Sequence, residues 1–372
     1  MAERAIMKGN EALAEAALRA GCRFYSGYPI TPQTEILEYL SWRIYEDDVK
    51  GQLVQTEDEL TGVHMACGAA AAGARVLSSS SGPGFSLYQE GMSIACALEL
   101  PIVVIDVQRV GNGLGGISAS QGDYELITRG NGNGDTMVIT LAPASVQENV
   151  DMVIEAYDIA EKYRQPVIIL SDAVIGQMME GCELPDMQEH DLHKYDWYLR
   201  DENAIGAFGN PAVTGVKRFG NAGYVLPGGF MEYQGVQQKY FAEIQENEQQ
   251  WESINVEDAD VVLVGIGCSS RVAKEAIKKG AKEGLKLGLI RPKTVVPFPT
   301  KAFEEIGENC KGLLDIEMNT KGQMVNDIKL ASKSKYPVYT YLSVQDVPDA
   351  DAVLAMAKKI IAGEEKEERT WQ

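Results

Sequence analysis

The sequence lacks several features that would assign it quickly. No apolar run is long enough to cross a bilayer; the longest, such as Pro101-Ile-Val-Val-Ile105, have strand length. The segment from Met1 to Lys8 has no apolar core of a secretory leader, so a reducing cytoplasmic location is expected. Six cysteines, at 22, 67, 96, 182, 268 and 310, stand apart without a C-x-x-C pair. That argues against a zinc ribbon or an iron–sulfur cluster held by this chain alone, and it leaves Cys67 and Cys268 as small core residues. Basic charge is scarce: 34 Lys and Arg face 54 Asp and Glu, a net charge of −20. With no Lys/Arg cluster, this balance argues against a nucleic-acid surface. No Gly-Lys-Ser/Thr follows the one glycine turn placed like a Walker loop, and no solenoid-length repeat is evident.

What is present is an ordinary globular composition, 45% apolar and 24% charged over 372 residues, long enough for two or three domains. The first half alternates helical patterns (9–21, 32–42, from 59, 86–99, 146–163) with short apolar strands (22–26, 52–55, 74–78, 102–107, 167–171). This βαβα order predicts an α/β fold with a doubly wound parallel sheet. Between 181 and 255 the chain turns rich in Asp, Glu, Gln, Asn, Tyr and Trp. It reads there as a long connection with a helix near 232–251. A second α/β unit follows, with strands near 261–264, 286–290, 312–317 and 337–342 and helices over 272–283 and from 299. The expected divisions are 1–185, 186–255, 256–365 and a charged tail over 366–372.

Glu59-Leu-Thr-Gly-Val-His64-Met-Ala-Cys-Gly68 opens a helix of very small residues with an acid at its tip. A buried carboxylate asks for a partner; an exposed one is merely an acid favoured in the first helical turn, as Glu57 and Asp58 also are. Tyr28-Pro-Ile-Thr31-Pro32 joins a strand to a helix, with Thr31 placed as N-cap and Pro32 at the first helical position. The same position faces the crevice where open α/β sheets bind ligands. Ser78-Ser-Ser-Ser81-Gly82-Pro83-Gly84 reads as a sharp strand–helix turn that allows close approach of a ligand. Asp106-Val-Gln-Arg109 ends a strand. Its arginine suits a carboxylate ligand or, equally, a salt bridge with Asp106 or another acid. Gly111-Asn-Gly113-Leu-Gly-Gly116 fits G-x-G-x-x-G only formally and reads as a mobile loop, as does Gly130-Asn-Gly-Asn-Gly134-Asp135. The segment between them is a candidate cover for an active site. Gly265-Ile-Gly267-Cys-Ser-Ser270 lacks the third glycine, and Arg291 stands where a dinucleotide site would need an acid.

Together these motifs resemble the alpha-type subunit of 2-oxoacid:ferredoxin oxidoreductases over nearly the whole chain. The resemblance implies a pyrimidine-binding (PYR) thiamine diphosphate domain followed by a transketolase C-terminal-like domain. It also implies that Glu59, rather than Glu57, hydrogen-bonds N1′ of the cofactor's aminopyrimidine. Tyr28, Pro29, Ile30, Ser81, Gly82, Pro83 and Gly84 would line the cofactor, and Thr31 and Arg109 the substrate. The implied reaction removes CO₂ from a 2-oxo acid, passes electrons through an iron–sulfur cluster to ferredoxin and transfers the acyl group to coenzyme A. The family pattern for Mg²⁺–diphosphate, Gly-Asp-Gly followed by a distant Asn, is missing: Gly122-Asp123-Tyr and Gly134-Asp135-Thr do not fit it. Half a site is therefore expected. A beta-type subunit would carry diphosphate and Mg²⁺, a ferredoxin-like subunit the clusters, and a gamma subunit is a further candidate partner.

Residues 118–148 and 168–180 look closest to subunits acting on 3-methyl-2-oxobutanoate, with 2-oxoglutarate as the alternative. A non-oxidative thiamine diphosphate decarboxylase subunit and an assembly module without chemistry are the rival readings.

Overall fold

The computed structural model describes residues 3–191, 229–344 and 346–366. Much of the expected connection and nearly all of the expected tail lie outside these. In chain order the elements are β1 (Glu3–Lys8), α1 (Gly9–Arg19), β2 (Phe24–Gly27), α2 (Thr34–Arg43), β3 (Gln52–Gln55), α3 (Glu59–Ala71), β4 (Val76–Ser80), α4 (Pro83–Leu98) and β5 (Val103–Gln108). They continue with α5 (Tyr124–Arg129), β6 (Ile139–Leu141), α6 (Val146–Tyr163), β7 (Val167–Asp172), α7 (Ala173–Gln177) and β8 (Met179–Leu184). After α8 (Gly229–Asn247) come β9 (Trp251–Ile254), β10 (Val261–Val264), α9 (Gly267–Lys282), β11 (Leu287–Pro292) and β12 (Thr294–Val296). A 3₁₀ turn (Thr300–Glu305), β13 (Gly312–Glu317), α10 (Val325–Ala331), β14 (Val338–Leu342) and α11 (Ala350–Ala362) complete it.

The first sheet runs β12-β6-β7-β5-β4-β2-β3 and is parallel except at β12. Its inner strands are buried on both faces, in keeping with apolar runs such as Val103–Ile105 and Val167–Leu170. The chain passes from β2 outward to β3 and then back across to β4, so the strand order reverses between β2 and β4. The carboxyl ends there open a crevice. One face is covered by α1, α2 and α6, the other by α3, α4 and α5. The second sheet, β14-β13-β10-β11-β9, is parallel apart from its β9 edge. Two doubly wound units in this order are the architecture that the resemblance implied.

The two units share one core and one sheet edge. Residues of α3 and α4 belong to the same apolar cluster as Val262, Val264, Phe303 and Ile328. β12 leaves the second unit to pair antiparallel with β6, Thr294 opposite Leu141. Arg291, which is 1% exposed, grips Glu148 of α6 through two bonds of 2.6 Å and Glu252 at 2.9 Å. Burial disfavours the Glu148 carboxylate, but the Arg291 fork outweighs it and holds that group below its ordinary range.

Several boundaries differ from expectation. Thr31 is not an N-cap. Residues 30–33 form a turn (Gln33 N–H to Ile30 O, 3.1 Å), and the Pro32 carbonyl is taken by Asn10 Nδ2 and Gln177 Nε2, so the helix begins at Thr34. Helix α4 begins at Pro83 rather than at 86, because a proline fits the first helical position without losing a bond. Helix α9 starts at Gly267 rather than 272, and only a 3₁₀ turn forms after Pro299. The sequence reading also missed the β1–β8 ribbon, the short strands β6, β9 and β12, and helices α5, α7, α10 and α11. Among the described residues, no helix is long and apolar enough to cross a membrane.

Candidate functional site

Four loops meet at the carboxyl ends of β3, β2, β4 and β5, which are neighbours in that order. They carry Glu59, Thr31, the Ser81–Gly84 turn and Arg109.

The three acids before α3 divide the work. Glu57 is exposed. Asp58 caps the helix by accepting from Thr61 N–H at 2.7 Å. Glu59 is 7% exposed, and among the described residues no group hydrogen-bonds its carboxylate. Its seat is narrow. A Cβ placed on Gly84 would lie 2.5 Å from Glu59 Oε1 and 2.3 Å from Ser80 Oγ, so any larger residue there would displace one or both side chains. The small-residue helix behind Glu59 serves the same closeness. Gly62 packs on Gly27, and Val63 of α3 fills the space a Cβ on Gly91 of α4 would take. His64 points elsewhere, its Nδ1 2.7 Å from the Leu60 carbonyl oxygen.

The serine run is mostly structural. Ser78 Oγ donates to the Ser26 carbonyl and pairs with the Tyr88 hydroxyl at 2.8 Å. Ser79 Oγ bonds Gln33 Oε1 at 2.7 Å and the Tyr25 hydroxyl at 2.8 Å. Burial pushes Tyr25 up to about 12; burial, Tyr25 and the Glu59 charge push Tyr88 higher still. Both phenols therefore stay neutral and fix the floor of the crevice. The turn above them places Gly82 at φ +48°, a left-handed conformation that glycine tolerates.

Arg109 is 8% exposed. Its Nη1 donates to the Thr31 carbonyl and its Nη2 to the Leu114 carbonyl, each at 2.7 Å. It thus ties the turn after β2 to the Gly111–Gly116 loop and forms no ion pair with Asp106. The Thr31 side chain is exposed, and it is the backbone of Thr31 that meets Arg109. Tyr28, Leu60, Met65 and Leu87 expose apolar side chains on the loop after β2 and on α3 and α4.

The segment between the two glycine-rich runs, the candidate cover, is docked on the second unit. Gln121 donates from its backbone N–H to the Met318 carbonyl (2.8 Å) and from Nε2 to Ile266 O (3.0 Å) and Asp172 Oδ2 (3.2 Å). Its Oε1 accepts from Ser269 Oγ at 2.8 Å. This is the functional-looking contact that sequence reasoning missed; a lone glutamine in a glycine-rich stretch carries no pattern. It also fills the Gly265–Gly267 turn. Asp172 Oδ2 accepts from Cys268 N–H at 2.9 Å, and a Cβ on Gly267 would lie 2.3 Å from that oxygen. The helix N-terminus that a dinucleotide phosphate would need is occupied by the protein's own carboxylate. A crevice of about 440 Å³ remains between the units, lined by Arg109, Asp123, Asn319, Lys321 and Gln323 among others. All six cysteines are free and buried.

Comparison with known proteins matches residues 15–247 to the family described as pyruvate flavodoxin/ferredoxin oxidoreductase, thiamine diphosphate-binding, and residues 259–347 to pyruvate:ferredoxin oxidoreductase core domain II. The chain is 42% identical over 328 residues to the ketoisovalerate oxidoreductase subunit VorB of Methanothermobacter marburgensis, covering 88% of this chain and 89% of that one. It is 36% identical over 345 residues to the 2-oxoglutarate synthase subunit KorA of Methanocaldococcus jannaschii, covering 88% and 91%. Among solved structures, the 2-oxoglutarate:ferredoxin oxidoreductase from Magnetococcus marinus with 2-oxoglutarate, coenzyme A and succinyl-CoA bound superposes with a TM-score of 0.83 at 25% identity. That match covers 97% of this chain, which spans 66% of the solved one.

Proposed function

The chain belongs to the pyruvate flavodoxin/ferredoxin oxidoreductase family, and from that membership we propose that it is the Glu59-bearing half of the active site in a 2-oxoacid:ferredoxin oxidoreductase. It is an enzyme subunit of that class, and its first unit is of the thiamine diphosphate-binding type. The observation that carries the reading is Glu59: an enclosed carboxylate with no protein partner, pressed against the bare backbone of Gly84.

This chain fits the cofactor's pyrimidine end. An acid that must share a proton with a ring nitrogen needs a low-dielectric seat and an unused oxygen, and Glu59 has both. Thiamine diphosphate, when bound, supplies the electron sink that lets a 2-oxo acid release CO₂. The residues here hold and orient. Glu59 holds the proton at N1′, and Gly84, at the start of α4, has no side chain to displace that acid. Tyr28, Pro29, Ile30, Ser81, Gly82 and Pro83 shape the wall around the cofactor. Arg109 and Thr31 bound the side from which the substrate carboxylate approaches.

The apolar side chains of Tyr28, Leu60, Met65 and Leu87, left uncovered beside Glu59, support a second subunit closing the site. We assign diphosphate and Mg²⁺ to that beta-type subunit, and the clusters to a ferredoxin-like subunit that passes electrons to ferredoxin. The separate, buried cysteines of this chain support that division. We assign 1–185 to the PYR unit, 186–255 to the connection, 256–365 to the transketolase C-terminal-like unit and 366–372 to the tail, in a cytoplasmic complex. The proposed substrate is 3-methyl-2-oxobutanoate, with coenzyme A as acyl acceptor. The 42% identity to a ketoisovalerate enzyme subunit supports it over 2-oxoglutarate, whose relative stands at 36%.

The test is Glu59→Gln in the assembled complex. It should abolish dye reduction that depends on a 2-oxo acid; near-normal turnover would sink the reading. A brown, cluster-containing complex supports the oxidoreductase, and a colourless active pair the non-oxidative alternative. Relative turnover of 3-methyl-2-oxobutanoate, 2-oxoglutarate and pyruvate decides the substrate.

A further inference from the structure

Beside the Glu59 seat lies a concentration of buried polar atoms that the reaction outlined above leaves unused. Ser80 Oγ, Ser81 Oγ, both Asp106 oxygens, Asp123 Oδ2 and Arg109 Nε are enclosed, and none has a hydrogen-bond partner among the described residues. Folded proteins leave few such groups unsatisfied, so a cluster of them needs a reason.

They lie around the turn from Ser80 to Gly84. Asp106 stands beside Ser80 in the parallel register of β4 and β5. The Gly82 N–H lies close enough to Asp106 and Asp123 to favour their charged forms. The Arg109 side chain also lies against Gly82: a Cβ there would meet Arg109 Cγ at 3.3 Å and Nε at 3.4 Å. Gly82 thus meets both the Arg109 side chain and the acid pair, and the Arg109 charge acts on both acids.

Arg109 donates only to neutral carbonyls, of Thr31 and Leu114. Asp106 and Asp123 are the acids placed to compensate its charge. Asp106 is fully buried; burial first and the Asp123 charge second push it well above the usual carboxylate range. Burial pushes Asp123 up to about 6. Two such carboxylates titrate as a pair, and near neutral pH the pair keeps one proton. The other titratable groups nearby are engaged elsewhere or carry the same sign as the acid pair: Lys321, which lines the same crevice, is paired with Glu125. Glu59, beyond Ser80 and Gly84, is an acid; the Tyr88 hydroxyl of α4 is engaged with Ser78, and that of Tyr124 of α5 with Asp327.

We propose that Asp106 and Asp123 are positioning residues that share one proton beneath the Gly82 turn, so that Arg109 keeps a net positive charge for the carboxylate of a 2-oxo acid. The inference rests on the reading of Arg109 as a residue that meets the substrate. Lowering the pH through about 6 adds a proton to Asp123, removes the remaining negative charge behind Gly82 and strengthens the hold on an anionic substrate.

The experiment measures kcat and KM for 3-methyl-2-oxobutanoate and for 2-oxoglutarate in the assembled complex across that range. The KM of whichever acid is turned over should fall by up to about tenfold on acidification, as expected for one unit of differential interaction, with a smaller change in kcat. Asp123→Asn should show the lower KM already at neutral pH, with no further fall. Infrared difference spectra at neutral pH should show a protonated carboxyl band that disappears in Asp106→Asn. A KM profile untouched by Asp123→Asn, or no band lost in Asp106→Asn, overturns the proposal. An unchanged KM in Arg109→Lys overturns it through Arg109 instead. Failure of the functional reading looks different: no turnover of either acid by the wild-type complex, with the infrared band still present.

Discussion

The Asp172 carboxylate and the Cys268 backbone N–H, 96 residues apart in sequence, meet at 2.9 Å. Asp172 ends strand β7 of the first sheet, and Cys268 lies in the first turn of the longest helix of the second unit. The same carboxylate also accepts from Ile175 N–H at 3.0 Å, so one side chain caps two helices in two units. Replacing it by alanine should remove both caps and leave Gln121 short of a partner. The expected loss is about 2–3 kcal/mol of stability, read as a lower midpoint in urea. Unchanged stability would mean that water replaces the carboxylate at both helix ends.

Gly84→Ala tests the seat of Glu59 without touching its chemistry. The added methyl meets Glu59 Oε1 and Ser80 Oγ, and the acid has to move. A displacement on the order of 1 Å at a reacting group costs roughly a hundredfold in rate. Turnover of the assembled complex should fall by about that factor, far more than its thermal midpoint changes.

Arg291→Met probes the junction between the units. The arginine is fully enclosed, whereas Glu148 and Glu252 are only half-buried. Removing one member of a buried pair costs about 3–5 kcal/mol, and the solvent access of both acids favours the lower end. A double-mutant cycle with Glu148→Gln should recover a large part of the loss, because the stranded charge is then gone.

Acid sensitivity has an identifiable contributor in Glu161. Burial opposes its charge, but the Arg75 fork and then His190 hold it down at about 2. A carboxylate depressed on folding stabilises the protein above its unfolded value near 4.5, and that share is lost as pH falls toward about 2. The melting-temperature gap between wild type and Glu161→Gln should be widest above about pH 4.5 and close on acidification. A gap that stays constant across this range would rule the linkage out.

The parallel strands and the long helices were legible because their patterns are strong. Val146–Tyr163 and Gln52–Gln55 fall where periodicity and apolar runs predict them. The strand–loop–helix junctions carrying Glu59, Gly82 and Arg109 were legible too, since each follows an apolar run and opens at glycine, proline or an acid. Illegible features were those whose cause lies elsewhere in the chain. Ile139–Leu141 and Thr294–Val296 are too short to carry a period, and each is a strand only because the other is there. Gln121 became a hub through the second unit's loops, which no local pattern encodes. Thr31 looked like a cap; the Pro32 carbonyl instead finds its partners in Asn10 and Gln177.

The pairing of Thr294 with Leu141 joins strands far apart in the chain. Six strands of the first sheet precede Ala173 in the chain, yet among the described residues the outer edge of Ile139–Leu141 finds its strand partner only in Thr294–Val296. The second unit thus acts on the first as a clasp, supplied late in the chain, over an edge otherwise open to pairing with a stranger.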